Sequence, residues 1–106
     1  MQRPGRSGRE TGGSVFARDV TEKEFTAVRF RGGYAKGDVD AFLERVRATL
    51  TAYETGTAFG VLSTVDVVNA RFRPTKFVEG YDQDEVDDFL DEVVAELRRH
   101  ESPGGR

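Results

Sequence analysis

"FVEGYDQDEVDDFLDEVVAEL", residues 77–97, decides how this chain is read. Inside it Val86, Leu90, Val93 and Leu97 recur at spacings of four, three and four, with His100 at the next place. That is the seam of a helix that packs against another helix, widened here by Phe89 beside it. Asp82 followed three places on by Glu85 fits an N-cap with its reciprocal carboxylate. Arg98, Arg99 and His100 suit the negative pole of the helix dipole. The acidic residues between the seam positions read as a solvated outer face.

A second copy of the stretch lies upstream. Shifting the sequence by 47 positions matches residues 20–50 to residues 67–97 without a gap, and twelve of the 31 pairs are identical. Phe25/Phe72, Phe30/Phe77, Gly33/Gly80, Tyr34/Tyr81, Val39/Val86, Phe42/Phe89, Leu43/Leu90 and Leu50/Leu97 are among them. An ungapped match in one order reads as a duplication, so the fold reduces to one unit used twice. The first helix has the seam Val39, Leu43, Val46 and Leu50, continued by Tyr53. Ala35 stands where the second copy has Asp82, so that helix is expected to start less crisply.

Ahead of each helix is an aromatic hook. Phe25 and Phe30, or Phe72 and Phe77, lead into a Gly-Tyr turn made by Gly33–Tyr34 or Gly80–Tyr81. Positive φ is expected at the two glycines, turning the chain back toward the helix. Thr21 with Glu24 suggests a short capped helix before the first hook. The corresponding "VDVVNARF" is rich in β-branched residues, which leaves helix and strand open there.

The chain has 106 residues, 37% of them hydrophobic and 33% charged, which is enough for one domain or two very small units. Neither helix can bury its seam alone, because a lone helix of ~17 residues is marginal in water. The seams must meet within one chain or between two copies. The crossover from 55 to 82 reaches ~90 Å when extended, against a return of ~27 Å along a helix, so a parallel arrangement is open to it. The expected division is a disordered Gly/Arg-rich start over 1–14, a first repeat over 15–54, a linker over 55–64, a second repeat over 65–100 and a disordered tail over 101–106.

Chemistry is sparse. There is no Cys, so no disulfide, thiolate nucleophile or thiolate metal site is available. Calcium loops need oxygen ligands at alternating places and a Gly at the sixth, where the run from Asp82 has Asp87. The acids fit the first turns of a helix instead. His100, the single histidine, has no partners for metal binding or proton transfer. None of the four serines lies in a nucleophile motif. No enzyme, cofactor or metal is expected. No apolar run approaches the ~20 residues that cross a bilayer, and no secretory signal opens the chain. A net charge of −3 argues against a dedicated nucleic-acid binder, with Arg3, Arg6 and Arg9 too few to reverse that.

The hooks are the candidates for function. Phe30 lies between Arg29 and Arg31, and Phe77 follows Lys76. A Phe with basic neighbours on a tight turn suits a membrane interface, the cations meeting anionic headgroups. The competing reading is that the rings plug the open end of the helix pair. The plug is favoured for Phe25 and Phe72, and both readings stand for Phe30 and Phe77.

"FRGGYAKGDVDAFLERV" and "FVEGYDQDEVDDFLDEV" resemble the N-terminal motif of the DivIVA family of bacterial division and polarity proteins, F-x-x-G-Y-x-x-x-x-V-D-x-F-L. The likeness covers about two-thirds of the chain, once per repeat, and "ARFRPTKF" is similar to actinobacterial members. It implies an intertwined hook at the end of a parallel helical dimer, with Phe30 and Arg31 as a tip against the inner face of the membrane. In the second copy Phe77 matches, Val78 replaces the Arg, and Lys76 stands on the other side. Both copies have one residue more between Phe and Tyr than the form "FRGY". The long coiled coil of the scaffolding members does not follow the second helix, which runs into "RRHESPGGR".

The expectation is a mostly α protein of two tandem DivIVA-like units, each an aromatic hook followed by an amphipathic helix that pairs coiled-coil-style. It implies a non-enzymatic part in protein association near the cell-division or polar-growth machinery, cytoplasmic, with peripheral contact at a pole or septum. Its partners would be itself, as an in-chain pseudo-dimer or homodimer, another DivIVA-family protein, and anionic inner-membrane lipid. The alternative is a soluble adaptor that pairs with full-length relatives without touching membrane.

Overall fold

The computed structural model describes residues 14–57 and 61–101. The elements run α1 (Ala17–Glu22), β1 (Ala27–Val28), β2 (Gly33–Tyr34), α2 (Lys36–Thr55), α3 (Thr64–Val68), β3 (Pro74–Thr75), β4 (Gly80–Asp82) and α4 (Gln83–Glu101). The fold is mostly helical with one small antiparallel sheet. The order helix–strand–strand–helix occurs twice, each element displaced by about the 47 residues of the sequence repeat.

The sheet order is β1-β4-β2-β3. Strands of the two units therefore alternate, and neither unit pairs its own strands with each other. Ala27 faces Tyr81 and Val28 faces Gly80; correspondingly, Tyr34 faces Pro74 and Gly33 faces Thr75. In the middle, Gly33 faces Asp82 and Tyr34 faces Tyr81. The hooks are interlocked, so the sheet exists only when both units are present.

Gly33 and Gly80 belong to β2 and β4, not to a turn, and neither has positive φ. Their reason is space. A Cβ on Gly33 would lie 2.7 Å from Thr75 Oγ1, and one on Gly80 would overlap that oxygen and lie 2.7 Å from the Tyr34 carbonyl. The units cross at these two glycines.

The short helices start earlier than Thr21 and Glu24 suggest. Phe16 N–H donates to Asp19 Oδ2 at 2.8 Å, and Ser63 N–H donates to Asp66 Oδ2 at 2.9 Å. Ser63 Oγ completes the reciprocal cap by accepting Asp66 N–H at 3.2 Å. Thr21 lies inside α1, its hydroxyl on the Ala17 carbonyl. The stretch left open between helix and strand, "VDVVNARF", opens as α3. In the long helices, Ala35 caps α2 without a side-chain bond, while Asp82 Oδ1 accepts Asp84 N–H at 3.1 Å. Glu85 does not close that cap, because its carboxylate crosses to Thr26 of the other unit. Gly56, at φ 75°, ends α2 in the left-handed conformation that releases its N–H to the last carbonyls.

All eight seam residues are buried in one cluster: Val39, Leu43, Val46, Leu50, Val86, Leu90, Val93 and Leu97. Phe89, Val15, Val20, Leu62 and Val67 join them. At the end away from the sheet, Tyr53 stacks on His100 with centroids 4.3 Å apart. With the sheet at their starts and this pair at their ends, α2 and α4 run in the same direction.

The segments before α1 and α3 extend the units. Val15 N–H donates to Glu96 Oε1 of α4 at 3.1 Å, and Leu62 N–H donates to Thr49 Oγ1 of α2 at 3.1 Å. Ala17 N–H donates to Glu54, and Thr64 N–H donates to Glu101. Leu62 and Thr64, in the stretch expected as a linker, thus make contacts equivalent to those of Val15 and Ala17, and Thr64 is helical. Glu101, expected in a disordered tail, closes α4 and holds α3. The expectations for residues 1–13 and 102–106 lie outside the described residues.

Candidate functional site

The four residues that join β1 to β2, and the four that join β3 to β4, stand together at one end of the molecule. Phe30 is 72% exposed, Phe77 69% and Val78 60%. The two Phe rings touch edge to face, centroids 6.3 Å apart. Two large apolar side chains held against each other in solvent are not core, and neither plugs the helix pair.

The backbone is arranged to hold them there. Phe30 has φ 69°, the one non-glycine with positive φ among the described residues. Such a conformation costs about 1–2 kcal/mol for a residue with a Cβ, so the surroundings must fix it. Phe30 N–H donates to the Lys76 carbonyl at 2.8 Å, and Arg29 Nη1 donates to the Phe77 carbonyl at 3.1 Å. Each hook is thereby tied to the other across the tip.

Basic side chains belong to both hooks. Lys76 Nζ lies 5.9 Å from the Phe77 centroid. Arg31 approaches Asp82 at 3.6 Å, with its side chain 62% exposed. Lys36 pairs with Glu79 at 2.8 Å and holds that carboxyl below its usual range, through the hydrogen bond first and the charge second. Of the four tip candidates, Phe30, Phe77, Arg31 and Lys76, all are on the exposed apex.

Phe25 and Phe72 are placed differently. Phe25 meets Tyr81 at 5.3 Å and Phe89 at 6.0 Å, while Phe72 meets Tyr34 at 5.2 Å and Phe42 at 5.7 Å. Both pack part-buried on the core. The tyrosines of the Gly-Tyr pairs lock the units: Tyr34 O–H donates to Asp87 and Tyr81 O–H to Asp40, each at 2.8 Å. Burial, then the Asp87 bond, pushes the Tyr34 phenol up to about 12; Tyr81 is raised by burial and Asp40. Arg73 brackets Asp38 from its backbone and guanidinium, and holds that carboxyl below its usual range. Thr26 does the same for Glu85 through its backbone N–H and hydroxyl. Every one of these bonds crosses from one unit to the other.

Sequence reasoning missed Glu96, buried at 6% exposure, and Thr49, its counterpart, buried at 3%. Glu96 accepts Val15 N–H and pairs with Arg99 and with His100 Nε2, the latter at 3.0 Å. Their position beside the seam was visible, but unlike the seam residues they differ in kind between the copies.

Comparison with known proteins gives no match to a family model, to a curated protein or to a solved structure. Among the described residues, no helix is long and apolar enough to cross a membrane.

Proposed function

We propose that this chain is a non-enzymatic, DivIVA-like association module of the bacterial cytoplasm that acts near the division or polar-growth machinery. On this reading each copy of helix–strand–strand–helix is one DivIVA-like unit, and α2 and α4 pair coiled-coil-style as an in-chain pseudo-dimer. The seam spacing, the shared core and the Tyr53–His100 stack support it. Peripheral contact with the inner face of the membrane is made through Phe30 and Phe77, with Arg29, Arg31 and Lys76 meeting anionic headgroups. The observation that carries this is the pair of exposed, touching Phe rings on a backbone tied for the purpose.

The apolar rings supply burial in the interface, and the cations supply an attraction of about 1 kcal/mol each near an anionic leaflet. The test is sedimentation with vesicles of phosphatidylglycerol and phosphatidylcholine. Binding should require the anionic lipid, weaken with salt and disappear in Phe30→Ser with Phe77→Ser. Because both rings are exposed, that variant should melt like the parent. Retained vesicle binding would sink the membrane part, and no binding by the parent would leave the soluble adaptor as the better reading.

A further inference from the structure

The units meet through two kinds of contact, and only one kind is repeated. Tyr34 with Asp87 and Tyr81 with Asp40 use residues that both copies carry, so two like units can make both bonds. The ion pairs that cross between the units, three among the described residues, are different. They are Arg31 with Asp82 at 3.6 Å, Lys36 with Glu79 at 2.8 Å and Arg73 with Asp38 at 3.1 Å. At the offset of 47, Val78 and Gln83 stand in the second unit for Arg31 and Lys36. Gly32, Ala35 and Thr26 stand in the first for Glu79, Asp82 and Arg73.

Those differences say what a pairing of like units would lose. Two first units would set Arg31 against Ala35, Lys36 against Gly32 and Asp38 against Thr26, and would keep none of the three ion pairs. Two second units would set Asp82 against Val78 and Glu79 against Gln83, and would keep one, Arg73 with Glu85. They would also double an unbalanced charge. Residues 61–101 carry eleven Asp and Glu against five Lys and Arg, whereas residues 14–57 carry seven of each. Glu96, 6% exposed, would share its level of the seam with a second Glu96 in place of Thr49. Two carboxylates buried at one level cost more than one.

We propose that the surface by which the units pair is selective: it accepts the opposite unit, from its own chain or from a second copy, and refuses a like one. Lys36 with Glu79 and Asp38 with Arg73 make the choice, and Arg31 with Asp82 adds to it. The seam residues supply the burial but do not discriminate, since both copies carry the same four. Ion pairs that are partly exposed suffice for this, because complementary charge acts less on total affinity than on the penalty for a wrong partner. A chain with both units therefore closes on itself and leaves no surface for a partner that offers a like unit. The inference rests on the in-chain pairing proposed above and is independent of the membrane contact.

Two full-length variants test it. One carries Lys36→Glu with Asp38→Arg, which reverses the first unit; the other carries Glu79→Lys with Arg73→Glu, which reverses the second. Each chain alone opposes like charges within itself. In a mixture, the two reversed units match each other and so do the two unaltered ones. The chains are unfolded together in urea and refolded at about 100 µM each, against the ~mM effective concentration that a short tether supplies within one chain. Sedimentation equilibrium should then show a dimer of one chain of each kind, which salt weakens. Either chain alone should give less dimer by about fivefold or more, and a chain with all four substitutions should return to the monomer. Should a reversed chain fail to fold by itself, helix regained on mixing, read by circular dichroism, reports the same choice. A mixture that dimerises no more than its components, or that stays unfolded, overturns the proposal. So does a four-substitution chain that dimerises as readily as the mixture. A parent that is itself a dimer would sink the in-chain pairing, and this proposal with it.

Discussion

Tyr53 lies flat on His100, ring planes 9° apart and centroids 4.3 Å apart, and the two residues occupy the same place in their respective units. The equivalence holds from the tip to this far end: Tyr34 with Asp87 answers Tyr81 with Asp40, and Val15 with Glu96 answers Leu62 with Thr49. One chain thus satisfies, against itself, the demand that each seam makes for a partner.

The parallel register gives the first prediction. The chain has no Cys, so a pair can be placed cleanly. Tyr53→Cys with His100→Cys should oxidise to a disulfide within one chain, because stacked side chains start from neighbouring backbone. Tyr53→Cys with Val86→Cys should not, Val86 being at the opposite end of α4. Peptide mass mapping reads the result, and the reverse pattern would show the helices running head to tail.

Thr75 makes the second. Its Oγ1 is buried without a hydrogen-bond partner, between Gly33 and Gly80, and its counterpart in the first unit is Val28. Removing a buried, unpaired hydroxyl in a site that already suits valine should help. Thr75→Val is expected to raise unfolding free energy by about 1 kcal/mol in urea melts. Gly80→Ala should lower it by about 1–3 kcal/mol, since its Cβ meets backbone that cannot yield. A neutral Gly80→Ala would mean the crossing is looser than described.

Much of this was legible beforehand, and the rest was hidden for definable reasons. The seam residues repeat four and three apart over whole helices, so their burial could be read from spacing alone. The strands could not. "AV", "GY" and "PT" are too short to show alternation, and their partners lie in the other unit. The Gly-Tyr pairs looked like turns because glycine usually marks one; here the glycines admit a crossing strand. The outer limits of the units were within reach, because Asp19 with Asp66 and Glu54 with Glu101 are identical at the same offset of 47. They fell outside the stretch where hydrophobic residues repeat, and their work is to bind backbone N–H groups. At the tip, the aromatic and basic residues were visible, but the left-handed Phe30 was not, since nothing in "RFRGG" assigns positive φ to the Phe rather than to a Gly.

That strain makes the third prediction. Phe30→Gly relieves the left-handed cost and removes the ring. Its unfolding free energy should match or exceed that of the parent by up to about 1 kcal/mol, net of the greater freedom of glycine when unfolded. A loss of several kcal/mol would mean that the Phe30 ring carries packing that its exposure does not suggest.

The cross-unit hydrogen bonds set the fourth, which concerns pH. Asp38 and Glu85 are held below their ordinary values of 3.8 and 4.5, chiefly by Arg73 and by the Thr26 backbone. A depressed carboxyl contributes stability that is present above its unfolded value and is lost as pH falls through the folded one. Tyr34 is the opposite case: its folded value of about 12 exceeds the ordinary 10.0, so its contribution is complete below pH 10 and is lost as pH rises toward 12. Urea midpoints should therefore be level between pH 5 and 9 and fall on both sides. Asp38→Asn should flatten the acid limb, and Tyr34→Phe the alkaline one. Absorbance at 295 nm supplies the site assignment, because the step near pH 12 should vanish in Tyr34→Phe. If that step survives, the phenol above Asp87 is not the late-titrating group, and the alkaline limb must come from another bond between the units.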